Sequence, residues 1–283
     1  MSTVSFAKRC FLLYFRDRGA VFFSMMASLI VVMLYLLFIR ESMVSGNSDI
    51  PEMGHLVDAW VLSGILGITA VTCSAGALQT MVADGSSGRN ADFAVTPMGT
   101  YRIAAGYVLS TFAVGVAMSY IILVVAVAYL TMTGCEVSGS GIAVSAVLVL
   151  PAALSGSVIM YTISTFIKTE GAFSGMYTVV SVAIGFITGI YIPFGSMPSG
   201  IGEAAVFVPA TQMSSLFRKY LAGDAMDASL GGMPDRIAEF RTDMGFDLFI
   251  GDTEFTVLMS LLYVAAVTAV FFLIAVWNVR RKG

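Results

Sequence analysis

Long apolar runs alternate with short polar stretches along the chain. Six intervals hold no Asp, Glu, Lys or Arg: 19–39, 59–83, 103–135, 137–167, 171–202 and 255–279. Each supplies the roughly 20 residues that a helix needs to cross about 30 Å of hydrocarbon. Backbone polar groups in lipid must be satisfied within their own segment, so these intervals predict helices rather than strands. The pattern predicts an all-α integral membrane protein, a single transmembrane domain over residues 1–283. Its six spans are expected at 19–39, 59–83, 101–132, 142–167, 172–192 and 255–279.

The stretches between the runs differ in kind. Residues 4–18, VSFAKRCFLLYFRDR, place Phe6, Ala7, Cys10, Phe11, Leu13 and Tyr14 on one broad helical side, with Lys8, Arg9 and Arg16 largely opposite. That predicts an interfacial amphipathic helix along a leaflet, with Phe11 and Phe15 too apolar for a solvated tail and Arg18 at its end. The polar island at 84–100 opens on Gly and Ser, continues through a short apolar patch and ends near Thr96-Pro97. It reads as a small folded foot on a membrane face. Residues 193–220 are apolar pieces broken by Pro and Gly, too short to cross, and predict short re-entrant or outer helices. Residues 221–253 are acidic and Gly-rich, and predict a solvated external loop.

Composition agrees with the pattern. The chain is 58% hydrophobic and 12% charged, with a mean hydropathy of +0.89, where a soluble domain is about half apolar and a quarter charged. Six spans put both termini on one side. With the N-terminus inside, the inner loops carry 10 of the 15 Lys and Arg: Lys8, Arg9, Arg16, Arg18, Arg89, Arg102, Lys168, Arg280, Arg281 and Lys282. Arg40, Arg218, Lys219, Arg236 and Arg241 fall outside, with 14 of the 18 acids. The basic excess marks the cytoplasmic side. The expectation is a multi-pass protein of the cell membrane with both termini and the island in the cytoplasm. No cleavable signal peptide is evident, and Cys10, Cys73 and Cys135 are too isolated to suggest disulfides or a metal site.

The candidate chemistry is sparse. There is no Gly-Lys pair anywhere, hence no phosphate-binding loop of the G-x-x-x-x-G-K-[ST] kind. No H-E-x-x-H occurs, and the only histidine, His55, lies in the first outer loop, so an enzyme active in its own right is not expected. Ion-coupled carriers usually place an ionisable residue inside a span. Here the six intervals offer only hydroxyls and a few amides such as Gln79. Energy must then come from elsewhere, and the island is the only inner loop with enough material to receive it.

At this point the residues resemble a known family, the membrane subunits of ABC-2 type ABC exporters, in particular its multidrug and antibiotic branch. The resemblance rests on Phe15-Arg16-Asp17-Arg18, on the island's Asp84, Gly88, Asp92-Phe93, Thr96-Pro97, Arg102 and Gly106-Tyr107, and on Pro193-Phe194-Gly195, Pro198 and Phe207-x-Pro209-Ala210-Thr211. It implies a permease that binds no cofactor, with ATP and Mg²⁺ held by cytosolic ATPase subunits. It also implies a second permease copy, identical or not, and a small amphipathic drug, antibiotic or lipid-like substrate moved outward; nucleic acid is not an expected partner. The island would be the coupling helix, with Asp84, Gly88, Arg89, Asp92, Phe93, Thr96, Pro97 and Arg102 as coupling residues. The segment carrying Lys8, Arg9, Phe11, Phe15, Arg16 and Arg18 would be the connecting helix. Gln79, Phe173, Tyr177 and Phe186 are candidates for a substrate path, against the plainer reading of core or lipid-facing side chains. Export of lipid-linked glycans by the same architecture, or a motor-less carrier or channel, remain the alternative readings.

Overall fold

The computed structural model describes residues 2–47, 50–88, 99–251 and 253–282. In chain order the helices are α1 (Thr3–Arg16), α2 (Arg18–Ser24), α3 (Met26–Leu34) and, after a π-turn at Tyr35–Ile39, α4 (Arg40–Gly46). There follow α5 (Met53–Ala77), α6 (Gln79–Ser86), α7 (Thr100–Met132), α8 (Gly139–Ser164) and α9 (Glu170–Ile187). The remainder are α10 (Ser199–Val206), α11 (Pro209–Leu221), α12 (Gly223–Leu230), α13 (Pro234–Asp243) and α14 (Val257–Lys282). Among the described residues, six helices are long and apolar enough to cross a membrane: span 1 Ser28–Gly46, span 2 Met53–Ser86, span 3 Thr100–Met132, span 4 Gly139–Ser164, span 5 Glu170–Ile187 and span 6 Val257–Arg281. Six crossings leave α1 and the end of α14 on one face, here the terminal face.

Span 2 is the axis of the bundle, almost wholly buried, with spans 3 and 4 packed along it. Apolar burial cannot drive helix association in lipid, so close approach and interhelical hydrogen bonds must. Gly67 receives Ser214 of α11, Gly76 receives Ser24 of α2, and span 4 brings Gly156 against the backbone at Ala70. Ser28 bonds Thr69 at 2.9 Å, Ser74 bonds Ser157 at 3.1 Å, and Thr162 Oγ1 donates to the Phe271 carbonyl at 3.0 Å. Spans 1, 5 and 6 sit at the rim, with Met33, Phe38, Val179, Val182, Leu262 and Leu273 facing outward.

Three elements differ from the sequence pattern. Span 1 runs to Gly46 and not from 19 to 39, because Asp17 ends α1 and caps α2, its carboxylate accepting from the Ala20 amide at 3.0 Å. The chain from Arg18 to Ser24 therefore forms a separate short helix. Span 2 extends past the charge-free interval 59–83 at both ends, taking in Asp58 and Asp84, because both carboxylates turn into the protein, not toward lipid. Residues 221–253 are not an irregular loop. They form α12, α13 and an antiparallel hairpin pairing Phe249 with Glu254 and Ile250 with Thr253, with Met226, Leu230, Met244, Phe246 and Leu248 buried beneath.

On the face opposite the termini, α10 and α11 follow a 3₁₀ turn at Phe194–Ser196. Helix α11 is polar in sequence, ATQMSS, yet buried along this stretch against spans 2, 4 and 6. Span 3, at 1.5 Å per residue about 50 Å long, exceeds the hydrocarbon thickness, so it projects from the membrane.

Candidate functional site

The foot of span 2 on the terminal face gathers the polar chemistry next to the island. Asp84 lies in the last turn of α6, and only 1% of it is exposed. Arg9 of α1 reaches it with two nitrogens, Nη1 to Oδ2 at 3.2 Å and Nη2 to Oδ1 at 3.5 Å. Tyr107 of span 3 donates its hydroxyl to Oδ2 at 2.9 Å. One carboxylate thus ties α1, span 2 and span 3 together. Charge-assisted bonds of this kind are the stronger ones, and a carboxylate buried without them would be costly.

Local packing explains why these groups meet. Phe6, fully buried, inserts one turn from Arg9 and meets the Tyr107 ring edge-on at 5.0 Å. Gly106 makes the space, since a β-carbon there would stand 2.5 Å from Phe6 Cδ1. Burial alone would lower the Arg9 pKa, but the bond and charge of Asp84 outweigh it and hold the guanidinium above its ordinary value. Burial pushes the neighbouring Cys10 thiol up to about 11, so it stays protonated and unreactive. Further along α1, Tyr14 bonds Ser24, which also contacts Cys73 of span 2.

The other spans end in the same polar layer. Ser86 bonds Glu170 at the start of span 5. Asn278, near the end of span 6, donates to Thr165 at the end of span 4 at 2.6 Å. The end of α6 is thus hydrogen-bonded to α1 and to spans 3 and 5.

Of the expected coupling residues, Asp84 is the buried centre of this cluster, and Arg102 is exposed on the first turn of span 3. Gly88 is exposed just beyond α6, at φ +76°, a left-handed conformation that stops a helix at little cost to glycine. Arg89, Asp92, Phe93, Thr96 and Pro97 lie outside the described residues. On α1, Lys8 and Arg16 are exposed, as is Arg18 at the start of α2; Arg9 is bound to Asp84, and the tilted rings of Phe11 and Phe15 meet at 4.8 Å around the Tyr14 cluster. The apolar side of α1 is divided: Phe6, Ala7, Cys10 and Tyr14 pack on protein, while Leu12 and Leu13 face outward.

The proposed path residues are not collected into one pocket. Gln79 is exposed at the start of α6. Phe173 is buried and stacks on Tyr177 at 6.4 Å, and the Tyr177 hydroxyl donates to the Phe23 carbonyl at 3.1 Å. Phe186 is exposed near the other end of span 5, about 20 Å along the helix from Phe173, with its ring against Tyr191 at 4.9 Å.

Sequence reasoning missed a second cluster at the opposite end of span 2. Asp58, again 1% exposed, accepts from Arg40 Nε at 3.0 Å and from the Tyr35 hydroxyl. Arg40 and Asp58 had the look of ordinary loop charges; the available signal was their opposite sign at the two ends of one short loop. Among the described residues no three of His, Cys, Asp or Glu converge as metal ligands.

Among known proteins, residues 63–277 match the family model described as ABC-2 family transporter protein. The match begins inside span 2 and ends inside span 6, leaving α1 and span 1 beyond it. No curated protein matches the chain.

Proposed function

The chain belongs to the ABC-2 family of transporter proteins and is a multi-pass membrane subunit of an ABC transporter, and from that premise we propose that it is the permease half of an exporter for small amphipathic molecules. ATP and Mg²⁺ are held by separate ATPase subunits, which dock on the terminal face. That face is cytoplasmic, on the strength of the Lys and Arg excess in its loops.

The observation that carries this reading is the Arg9–Asp84–Tyr107 cluster at the foot of span 2, where the chain enters the 84–100 segment. A soluble motor acting on 84–102 pulls on the last turn of span 2, and the buried carboxylate passes that pull to α1 and span 3 together. Span 2 is the bundle's axis, so its displacement shifts every helix packed on it. The outward faces of α1 and the start of α2 fit the same arrangement: Leu12 and Leu13 meet acyl chains while Lys8, Arg16 and Arg18 meet headgroups.

The central path forms against a second copy of a permease chain. Rim span 5 supports this, since Gly171, Ser174, Gly175 and Thr178 are exposed and both glycines face open space. Small and hydroxyl side chains at bilayer depth suit a helix partner better than lipid.

Purification in mild detergent tests the proposal. A soluble nucleotide-binding subunit should co-elute in stoichiometric amount, and the pool should hydrolyse ATP. A lone oligomer whose flux follows an ion gradient would overturn the reading.

A further inference from the structure

Between the end of span 1 and the start of span 2, on the face opposite the termini, lies a cleft of about 670 Å³. Its charged lining is Arg40, Glu41 and Glu52, and its apolar lining is Val44, Ile50 and Met53. Clefts of this size hold small molecules or the charged end of a larger one.

Arg40 is fixed from one side only. Its Nε donates to the buried Asp58 at 3.0 Å, and Asp58 also accepts from the Tyr35 hydroxyl. Among the described residues the two terminal nitrogens of Arg40 make no hydrogen bond. Nη2 lies against Gly54, where a β-carbon would stand 2.9 Å from it. The guanidinium is thereby brought to the first turn of span 2, and no side chain caps that turn. Free amides at the positive end of a 25-residue helix favour an anion. Arg40 adds a planar fork that matches two phosphate oxygens. One wall of the cleft is therefore built for a phosphate.

The remaining charges have the opposite sign. Glu41 is exposed, and Glu52, 57% exposed, stands 3.9 Å from His55 Nδ1, beyond hydrogen-bond reach. A plain anion would meet two carboxylates and a plain cation would meet Arg40, whereas a zwitterion satisfies both. Carboxylates accept from N–H groups, which a primary ammonium has and a quaternary one lacks. Quaternary ammonium is recognised by aromatic rings, and among the described residues no aromatic side chain lines this cleft. One turn of span 1 toward the bilayer centre, Leu37 and Phe38 face outward, 58% and 65% exposed. A molecule whose charged end fills the cleft finds there an apolar surface for its tail.

We propose that this cleft binds phosphatidylethanolamine from the leaflet on the face opposite the termini. The phosphate sits on Arg40 and the first turn of span 2, the ammonium on Glu41 and Glu52, and the acyl chains along Leu37 and Phe38. The lipid is a resident of the span 1 margin, so the proposal stands apart from the transport reading.

The test offers the full-length chain, purified in mild detergent, an equimolar mixture of phosphatidylethanolamine, phosphatidylcholine and phosphatidylglycerol with identical acyl chains. Bound lipid is read by native mass spectrometry. Phosphatidylethanolamine should be retained over each of the others by about fivefold, the discrimination expected of partly exposed ion pairs. Glu41→Gln with Glu52→Gln should abolish that preference over phosphatidylcholine and leave the unfolding temperature unchanged, since both carboxylates are exposed. Equal retention of the three lipids, a preference for phosphatidylglycerol, or a preference that survives the double substitution overturns the proposal. If the double variant fails to insert, the two single variants are read instead. A reduced preference in each supports the site, and an unchanged preference in either overturns it. Glycerophosphoethanolamine, the same headgroup without acyl chains, should leave the bound lipid in place at equal concentration. Displacement at that concentration would overturn the assignment to a lipid.

Discussion

Asp58 and Asp84 sit at opposite ends of the same helix, each 1% exposed and each held by one arginine and one tyrosine. In sequence both look like the polar residues that end a span. Their partners Arg40 and Arg9 are 18 and 75 residues away, so no local pattern reveals that the charges are turned inward and satisfied. Asp247 shows a similar arrangement in the external segment. Burial alone would raise its pKa, but Arg241 Nε at 2.6 Å and Lys219 Nζ at 2.8 Å outweigh burial and hold it below the ordinary carboxylate value. A lowered folded-state pKa contributes stability fully present above the unfolded value of about 4 and lost as pH falls through the folded value. Asp247→Asn should therefore destabilise the chain at neutral pH by about 1–2 kcal/mol. Thermal unfolding in detergent should show that gap closing as the solution is taken to about pH 3. A gap unchanged over that range would contradict the pairing.

At the level of elements, the sequence pattern was most informative where apolar runs were long and least where burial is by protein. The six spans follow from the charge-free intervals. The rim helices expose apolar side chains and the axis helix buries its own, yet both read alike in a hydropathy profile because lipid and protein interior are equally apolar. Helix α1 illustrates the limit: its wheel shows an apolar side, but only the fold divides that side between Tyr107 and the outside. The 221–253 segment looked solvated because Met226, Leu230, Met244, Phe246 and Leu248 are scattered singly among acids. The seat of α1 depends on Gly106. Gly106→Val should force Phe6 from its place, an overpacking cost of about 1–3 kcal/mol. Backbone hydrogen exchange in residues 3–16 should then quicken about tenfold while span 3 itself is unchanged. Exchange at the wild-type rate would mean that α1 is not held there.

For the whole molecule, the fold class and family were legible in the sequence, from span count, the missing phosphate loop and the order of polar segments. Of the residues expected to couple, Asp84 is a buried tie at the foot of span 2 and not a surface contact, which no spacing could show. In the function proposed above, ATP-driven motion enters this chain through that tie. The most direct test is ATP hydrolysis by the copurified complex carrying Asp84→Asn, with membrane insertion and co-elution measured alongside. Hydrolysis should fall at least tenfold while the chain still inserts and still brings down its ATPase; hydrolysis at the wild-type rate in an intact complex would contradict the account.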